Sequence, residues 1–297
     1  MLNLPPWWQR QTQGIVPCYA CQRLVPVDAG HCWCCGTLHP ALGGYGHLWG
    51  HISQTSVLVE GVTWGCGALY GLSLLLDPQG ITTRLPLEIL VPSVDSLLDL
   101  GATGAIPLFE GDRGWTVLTA AWLHGHVFHL GFNLAWIRYL MPLGVQCYGC
   151  ARLMGIYTGS AIAAALLSSS VAQFLTHLPP LLQGAHISVG ASGALFGLLG
   201  ALVAHGRYTG HKSLEKTMGL YALVGILLGF FMGSVDNWGH LGGFLGGFIL
   251  ASLPPLRGSV APKLYDVIWG SISLVATLGV IGVVALGAIL GRLGWWS

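Results

Sequence analysis

Long runs of apolar residues, separated by short polar stretches, dominate the chain of 297 residues. A run of about 20 such residues is long enough to cross the hydrocarbon core of a bilayer as a helix. The pattern predicts seven spans, at residues 56–76, 116–143, 151–175, 188–205, 218–235, 238–254 and 267–290. We therefore expect an all-α polytopic membrane protein.

The composition supports a lipid environment. Apolar residues make up 53% of the chain and charged residues only 8%, whereas ordinary soluble domains have about 25% charged residues. A net charge of +1 offers no patch that neutralises phosphates, which excludes nucleic-acid binding. Intrinsic disorder is excluded as well, because it requires low hydrophobicity and high charge.

The lysines and arginines predict the orientation, since cytoplasmic loops carry an excess of both. If the N-terminus is cytoplasmic, nine of the 12 fall inside, and only Arg84, Arg113 and Arg292 fall outside. Seven spans then place the C-terminus outside, where Trp295 and Trp296 are either an aromatic interface anchor or a plain hydrophobic tail. We expect a multi-pass protein of a bacterial plasma membrane.

Two C-x-x-C motifs lie near the N-terminus, formed by Cys18, Cys21, Cys32 and Cys35. This spacing is typical of a zinc ribbon, in which one tetrahedral zinc ion folds a segment too small for a core of its own. A reducing cytoplasm argues against disulfides. His31 or His39 could replace one ligand, and Cys34 is surplus. The alternative is a tail with unliganded thiols.

Polar residues inside the predicted spans indicate a functional site, because ionisable groups are costly in a bilayer. The fourth and sixth spans each carry a G-x-x-x-G pair, Gly193 with Gly197 and Gly243 with Gly247. Such pairs permit close helix packing, which would bring His240 within reach of Ser192. The histidine could then accept the serine proton, although Ser192 alone could be a helix-packing residue. No carboxylate is evident nearby, so a dyad is favoured over a triad.

A second polar group lies in the second span. His129 and Asn133 are four residues apart and therefore share one helix face. Two neutral donors aimed at one point would stabilise the oxyanion of a tetrahedral intermediate. Taken alone, His129 fits a satisfied buried histidine better than a functional residue.

Three motifs contain these residues: His124-x4-His129-x3-Asn133, Gly190-Ala191-Ser192-Gly193 and Asn237-x2-His240-x2-Gly243-x3-Gly247. In this order, from about residue 115 to residue 247, the chain resembles the rhomboid family of intramembrane serine proteases. The resemblance implies a six-helix bundle plus one C-terminal span, no catalytic cofactor, and transmembrane proteins as substrates.

The resemblance also implies roles for single residues. Ser192 would be the nucleophile and His240 the general base and acid. His129 and Asn133, together with the backbone N–H of Ser192, would form the oxyanion hole. Supporting positions are Gly190, Phe196, Asn237 and His124, with Phe196 stacked on the catalytic histidine. Substrates would enter sideways, between the second and fifth spans.

One position departs from the family pattern. The chain reads Trp115-Thr116 where the family often has Trp-Arg, and Arg113 lies two positions ahead of Trp115. This leaves open how the external first loop, residues 77–114, is anchored. That loop resembles the membrane-dipping loop of the family.

The predicted organisation is a zinc-ribbon-like cytoplasmic head at 1–40, a linker at 41–55, a six-span protease core at 56–255 and a seventh span at 256–297. The predicted activity is cleavage of transmembrane helices near the outer membrane face, through a covalent acyl-enzyme. One alternative is an inactive rhomboid-like module that binds membrane proteins without cutting. A transporter with histidines along a proton path would need polar residues at several depths and an inverted repeat, and neither is present. The oligomeric state is not predicted.

Overall fold

The computed structural model describes residues 9–52, 54–84, 86–232, 235–253 and 263–293. Helices dominate this part of the chain, and two small two-stranded sheets lie outside the bundle. The predicted all-α membrane fold is confirmed. Trp295 and Trp296 lie outside the described residues, so their anchoring role stays a prediction.

The N-terminal head is built on two antiparallel strands, β1 Ile15–Pro17 and β2 Leu24–Pro26. Val16 and Val25 face each other in this pair and are completely buried. Helix α1, Gly46–Ile52, follows the head and contacts it closely. The segment 41–55, which the sequence predicts to be a linker, therefore contains a helix that packs on the head.

The helices after α1 vary widely in length. In chain order they are α2 Thr55–Leu76, α3 Val94–Asp99, α4 Thr116–Thr119, α5 Val127–Tyr148, α6 Cys150–Phe174, α7 Ser192–Thr209, α8 Lys212–Gly229, α9 Asn237–Ser252 and α10 Leu264–Arg292. Within the described residues, α2, α6 and α10 are long and apolar enough to cross a membrane. Helices α5, α7, α8 and α9 complete the bundle, and their crossing of a membrane stays a prediction.

The start of the second span is predicted wrongly. Helix α5 begins at Val127, because residues 116–126 form the short α4, a 3-10 turn and an extended stretch. The side chain of His126 caps α5 by accepting a hydrogen bond from the N–H of His129. Arg138, expected near the cytoplasmic end of the span, consequently lies near the middle of α5 with an exposed side chain.

The first loop, residues 77–114, is folded rather than open. It contains a hairpin of β3 Thr82–Arg84 and β4 Glu88–Val91, the short helix α3 and a π-helical turn. Residues 103–106 pair with residues 185–188. Thr103 donates its N–H to the carbonyl of Ser188 at 3.0 Å and accepts the N–H of Ser188 at 2.6 Å. The first loop is therefore tied to the segment that leads into α7.

Helices α7 and α9 make the closest helix contact of the core. A Cβ atom on Gly243 would overlap the carbonyl oxygen of Gly193, and a Cβ atom on Gly247 would overlap that of Gly197. Only glycine permits this approach of two backbones. The predicted packing of the two G-x-x-x-G faces is confirmed.

Helix α10 lies on the outside of the bundle and is joined to it by a buried ion pair. The guanidinium of Arg152 in α6 donates to both carboxylate oxygens of Asp266, at 3.0 and 2.7 Å. Both side chains are almost completely buried. At the other end of α10, Arg292 donates to Asp99 of the first loop at 3.3 Å. The last helix is thus fixed at both ends.

Candidate active site

Ser192 and His240 lie side by side at one end of the bundle. Ser192 is the first residue of α7, and its Oγ is 3.0 Å from Nε2 of His240 in α9. Helix α2 begins beside the head and ends at the first loop, and this loop contacts the segment preceding Ser192. The pair therefore lies at the end of the bundle opposite the head.

Phe196 fixes the orientation of the His240 ring. It follows Ser192 by one helical turn, and its ring is parallel to that of His240, with centroids 4.0 Å apart and planes 11° apart. Within the described residues, Nδ1 of His240 is buried and has no hydrogen-bond partner. The ring is therefore held by stacking on Phe196 and by its contact with Ser192.

His129 lies beside this pair and is oriented by its own hydrogen bonds. Its Nδ1 accepts the N–H of Gly125 at 3.4 Å, which assigns the ring proton to Nε2. A Cβ atom on Gly190 would lie 2.7 Å from Nε2 of His129 and 3.8 Å from Oγ of Ser192. Gly190, with a φ of 132°, thus leaves open the space between the two side chains. Nε2 of His129 therefore borders that space.

The other predicted oxyanion donors are differently engaged. Asn133 is buried, and its amide donates to the carbonyl of His129 at 2.9 Å. Its second N–H is left for another acceptor. The N–H of Ser192 belongs to the first turn of α7, where backbone donors have no acceptor within the helix. The oxyanion roles of Asn133 and of the Ser192 N–H stay predictions.

The remaining supporting residues surround the pair. His124 is completely buried, and its ring meets that of His129 edge to face at 5.1 Å. Neither ring nitrogen of His124 has a partner among the described residues. Asn237, the first residue of α9, packs against Gly229 of α8. Its amide oxygen is buried and likewise has no partner in the described part of the chain.

Sequence reasoning missed a carboxylate close to the site. Asp236 precedes α9 and caps it, accepting the N–H of Gly239 at 2.8 Å. Its two oxygens also accept the hydroxyl groups of Ser168 at 2.7 Å and Ser188 at 3.1 Å. An Asp at the start of a predicted helix is an N-cap signal, which could have identified the cap. The two serine contacts join distant parts of the chain.

Thr116 and Arg113 show how the first loop is anchored despite its departure from Trp-Arg. The Thr116 hydroxyl donates to the carbonyl of Arg113 at 2.8 Å, and its oxygen lies 3.3 Å from Oγ1 of Thr103. The guanidinium of Arg113 donates to the carbonyl of Leu98 at 3.1 Å, within the same loop. A threonine and a displaced arginine therefore brace the loop from inside.

The four cysteines of the head form a cluster that fits a zinc ion. Their sulfur atoms all lie within 4.8 Å of one another, with Cys18 and Cys35 3.8 Å apart and Cys21 and Cys32 3.6 Å apart. Because Zn–S bonds are about 2.3 Å long, the sulfurs of a tetrahedral site are about 3.8 Å apart. The cluster can thus hold a metal ion. His31, His39 and Cys34 are not part of it within the described residues.

The backbone of the head repeats one turn around the four thiols. Each C-x-x-C is followed by a residue of positive φ, Gln22 at 61° and Gly36 at 71°.

Although burial opposes ionisation, hydrogen bonds from the side chain and backbone of Thr37 lower the pKa of the Cys35 thiol to about 7. A thiolate at Cys35 suits a metal ligand, whereas burial raises the pKa of the Cys18 and Cys21 thiols.

Comparison with known proteins agrees with this architecture. The rhomboid domain family model matches residues 111–254. RHOMBOID-like protein 5 of Arabidopsis thaliana is 35% identical over 212 residues, which are 67% of this chain and 64% of the relative. Rhomboid-like protease 1 of Toxoplasma gondii is 31% identical over 241 residues, 78% of this chain and 74% of the relative. Rhomboid protease GluP of Bacillus subtilis is 32% identical over 164 residues, 54% of this chain and 30% of the relative.

The architecture is that of a polytopic helical membrane protein with a serine–histidine pair at one end of its bundle. The chain belongs to the rhomboid family and is an integral membrane protein. It spans between 41% and 64% of the length of three Arabidopsis relatives. The head lies outside the segment that the family model matches.

Proposed function

We propose that this protein is an intramembrane serine endopeptidase that cleaves transmembrane helices through a Ser192–His240 dyad. The observation that carries the proposal is the 3.0 Å contact between Oγ of Ser192 and Nε2 of a His240 ring stacked on Phe196. A nucleophile in hydrogen-bonding contact with an oriented base is the minimum requirement for acyl transfer. The names of relatives such as rhomboid-like protease 1 support the same class of activity.

The proposed reaction has two halves. Ser192 Oγ attacks the scissile carbonyl carbon while its proton passes to Nε2 of His240. His240 then gives this proton to the leaving amine, the C–N bond breaks, and an acyl-enzyme remains on Ser192. In the second half, His240 takes a proton from water as the water oxygen attacks the ester carbonyl carbon. The C–O bond to Ser192 then breaks, His240 returns the proton to Oγ of Ser192, and the carboxylic acid product leaves. Nε2–H of His129 and the N–H of Ser192 would stabilise the oxyanion in both halves.

The substrate would be a single transmembrane helix that unwinds near its end. Cleavage requires an extended segment, because the carbonyls of a helix are engaged in its own hydrogen bonds. We propose lateral access between α5 and α8, where rings of Trp136 and Tyr139 contact Tyr221 at centroid distances of 5.5 and 6.2 Å. These contacts join side chains, whereas α7 and α9 meet through their backbones.

We further propose that the head faces the bacterial cytoplasm and that its cysteines hold a structural zinc ion. The dyad, at the opposite end of the bundle, then lies near the outer membrane face. Water reaches a serine more readily there than in the middle of the bilayer, where polar groups are costly. The zinc ion would have no part in catalysis, because the head and the dyad occupy opposite ends.

A cleavage assay in proteoliposomes tests the activity. Wild-type protein is reconstituted with a single-span substrate that carries a small residue near its outer end. Cleavage by the wild type, lost in Ser192→Ala and in His240→Ala, is the expected result. Ser273→Ala in α10 and His177→Ala in the exposed loop after α6 serve as matched controls and should retain activity. Cleavage that survives in Ser192→Ala would overturn the proposal, and folded protein that binds but never cleaves such substrates would indicate the inactive binding module.

A further inference from the structure

Asp236 gathers three separate segments of the chain around one carboxylate. It caps α9 through Gly239, and it accepts hydroxyl groups from Ser168 in α6 and from Ser188 in the segment before α7. The Ser168 hydroxyl also accepts the N–H of Ala185 at 3.0 Å. One carboxylate therefore joins the start of α9 to α6 and to residues 185–188.

The two ends of this arrangement lead directly to the dyad. Ser188 precedes Ser192 by four residues, and Asp236 precedes His240 by four residues. The N–H of His240 donates to the carbonyl of Asp236 at 3.0 Å. Between Ser188 and Ser192, the N–H of Gly190 donates to the carbonyl of Ala120 at 2.9 Å. Neither the segment 188–192 nor the segment 236–240 can shift without disturbing the contacts of Asp236 or of its neighbours.

The carboxylate does not act on the histidine directly. Its oxygens are engaged by Ser168, Ser188 and the N–H of Gly239, and Nδ1 of His240 has no partner within the described residues. The arrangement of a triad, in which a carboxylate accepts the second ring N–H of the histidine, is therefore not formed. A role through position fits these contacts, and a role through direct hydrogen bonding does not.

We infer that Asp236 is a positioning residue. By accepting hydrogen bonds from Ser188 and Ser168, it keeps the segment before Ser192 and the segment before His240 in fixed positions relative to each other. The inference rests on the proposed function. Because Ser188 also pairs with Thr103, the same carboxylate fixes the first loop against the segment that carries the nucleophile. Loss of the carboxylate should misplace the dyad without removing any reacting group.

The test measures how fast Ser192 reacts with a fluorophosphonate in the full chain. This small probe reports the dyad geometry independently of any transmembrane substrate. For Asp236→Ala we expect the rate constant of labelling and the kcat of cleavage to fall about 100-fold, because a displacement of about 1 Å has such an effect. The KM of cleavage should change little. Asp236→Asn keeps an oxygen for Gly239 and can still pair with Ser188, so it should stay within about tenfold of wild type.

Control variants separate position from folding and from charge. A merely destabilised protein would label a smaller fraction of molecules at an unchanged rate. Ser188→Ala should slow labelling about fivefold, and Ser188→Thr, which keeps the hydroxyl, should restore it. Asp95→Ala removes an exposed acid from the first turn of α3 and should have no effect.

Several outcomes would overturn the inference. If Asp236→Ala labels at the wild-type rate, the inference is wrong, and the proposed function stays intact. Asp236→Asn as slow as Asp236→Ala, with a shifted acid limb of the pH–rate profile, would show that charge rather than position matters. A folded wild type that neither labels nor cleaves would overturn the proposed function and this inference together.

Discussion

Gly247 of α9 lies so close to Gly197 of α7 that a Cβ atom on Gly247 would overlap the Gly197 carbonyl oxygen. This close packing of α7 and α9 places His240 within hydrogen-bonding distance of Ser192. In Gly247→Ala, the added methyl group should push α9 away from α7 and destabilise the fold by about 1–3 kcal/mol. If the dyad opens by about 1 Å, the cleavage rate should fall about 100-fold. Thermal unfolding and a cleavage assay measure the two effects.

Gly282→Ala provides the matched control for this substitution. A Cβ atom on Gly282 in α10 would meet no other atom within 4 Å. This variant should keep full activity and gain slightly in stability, because alanine favours helices over glycine by about 1 kcal/mol. Equal activity of Gly247→Ala and Gly282→Ala would contradict the role of the close packing.

The Arg152–Asp266 pair should dominate the attachment of α10. In Arg152→Met, Asp266 keeps a buried negative charge without its partner, and we expect a loss of about 3–5 kcal/mol of stability. The double variant Arg152→Met, Asp266→Leu should recover much of this loss, because neither charge remains. Thermal unfolding in detergent measures both. Arg84→Met, at a mostly exposed arginine, is the control and should unfold like the wild type.

His129 should contribute to the transition state rather than to substrate binding. In His129→Ala the predicted oxyanion donor is lost, and kcat should fall about 100- to 1,000-fold with little change in KM. Asn133→Ala should show the same pattern if its free N–H reaches the oxyanion. Kinetics on folded protein decide this, with His177→Ala as the control. Near-normal turnover in both variants would refute their assignment.

The head should bind one zinc ion per chain. Cys18→Ser and Cys32→Ser each remove a buried sulfur of the cluster and should abolish stoichiometric zinc. Cys34→Ser should leave the zinc content unchanged, because this exposed thiol lies outside the cluster. Elemental analysis of purified protein measures the metal, and its absence from the wild type would contradict the site.

Local patterns in the sequence predicted the features whose geometry depends on residues that lie close together along the chain. The G-x-x-x-G pairs predicted the contact of α7 with α9, because spacing along a helix determines which residues share a face. The C-x-x-C spacing likewise predicted the cysteine cluster. In each case a few neighbouring residues contain the whole geometric requirement.

The features that were missed depend on contacts between distant segments. Asp236 meets Ser168 and Ser188, which lie 68 and 48 residues away, and Arg152 meets Asp266 across 114 residues. A count of charges assigned Arg152 to one membrane side but could not reveal its partner. The late start of α5 was missed because residues 116–126 are mostly apolar and lead directly into the apolar run of the span. Their turns are stabilised by contacts such as that of the Thr119 hydroxyl with the Gly101 carbonyl.

The most direct measurement is the mass-spectrometric mapping of a fluorophosphonate adduct on the 297-residue chain. The account predicts one adduct, on Ser192, that forms in the wild type and not in His240→Ala under the same conditions. An adduct on another residue would contradict the central claim, as would a folded wild type that forms none.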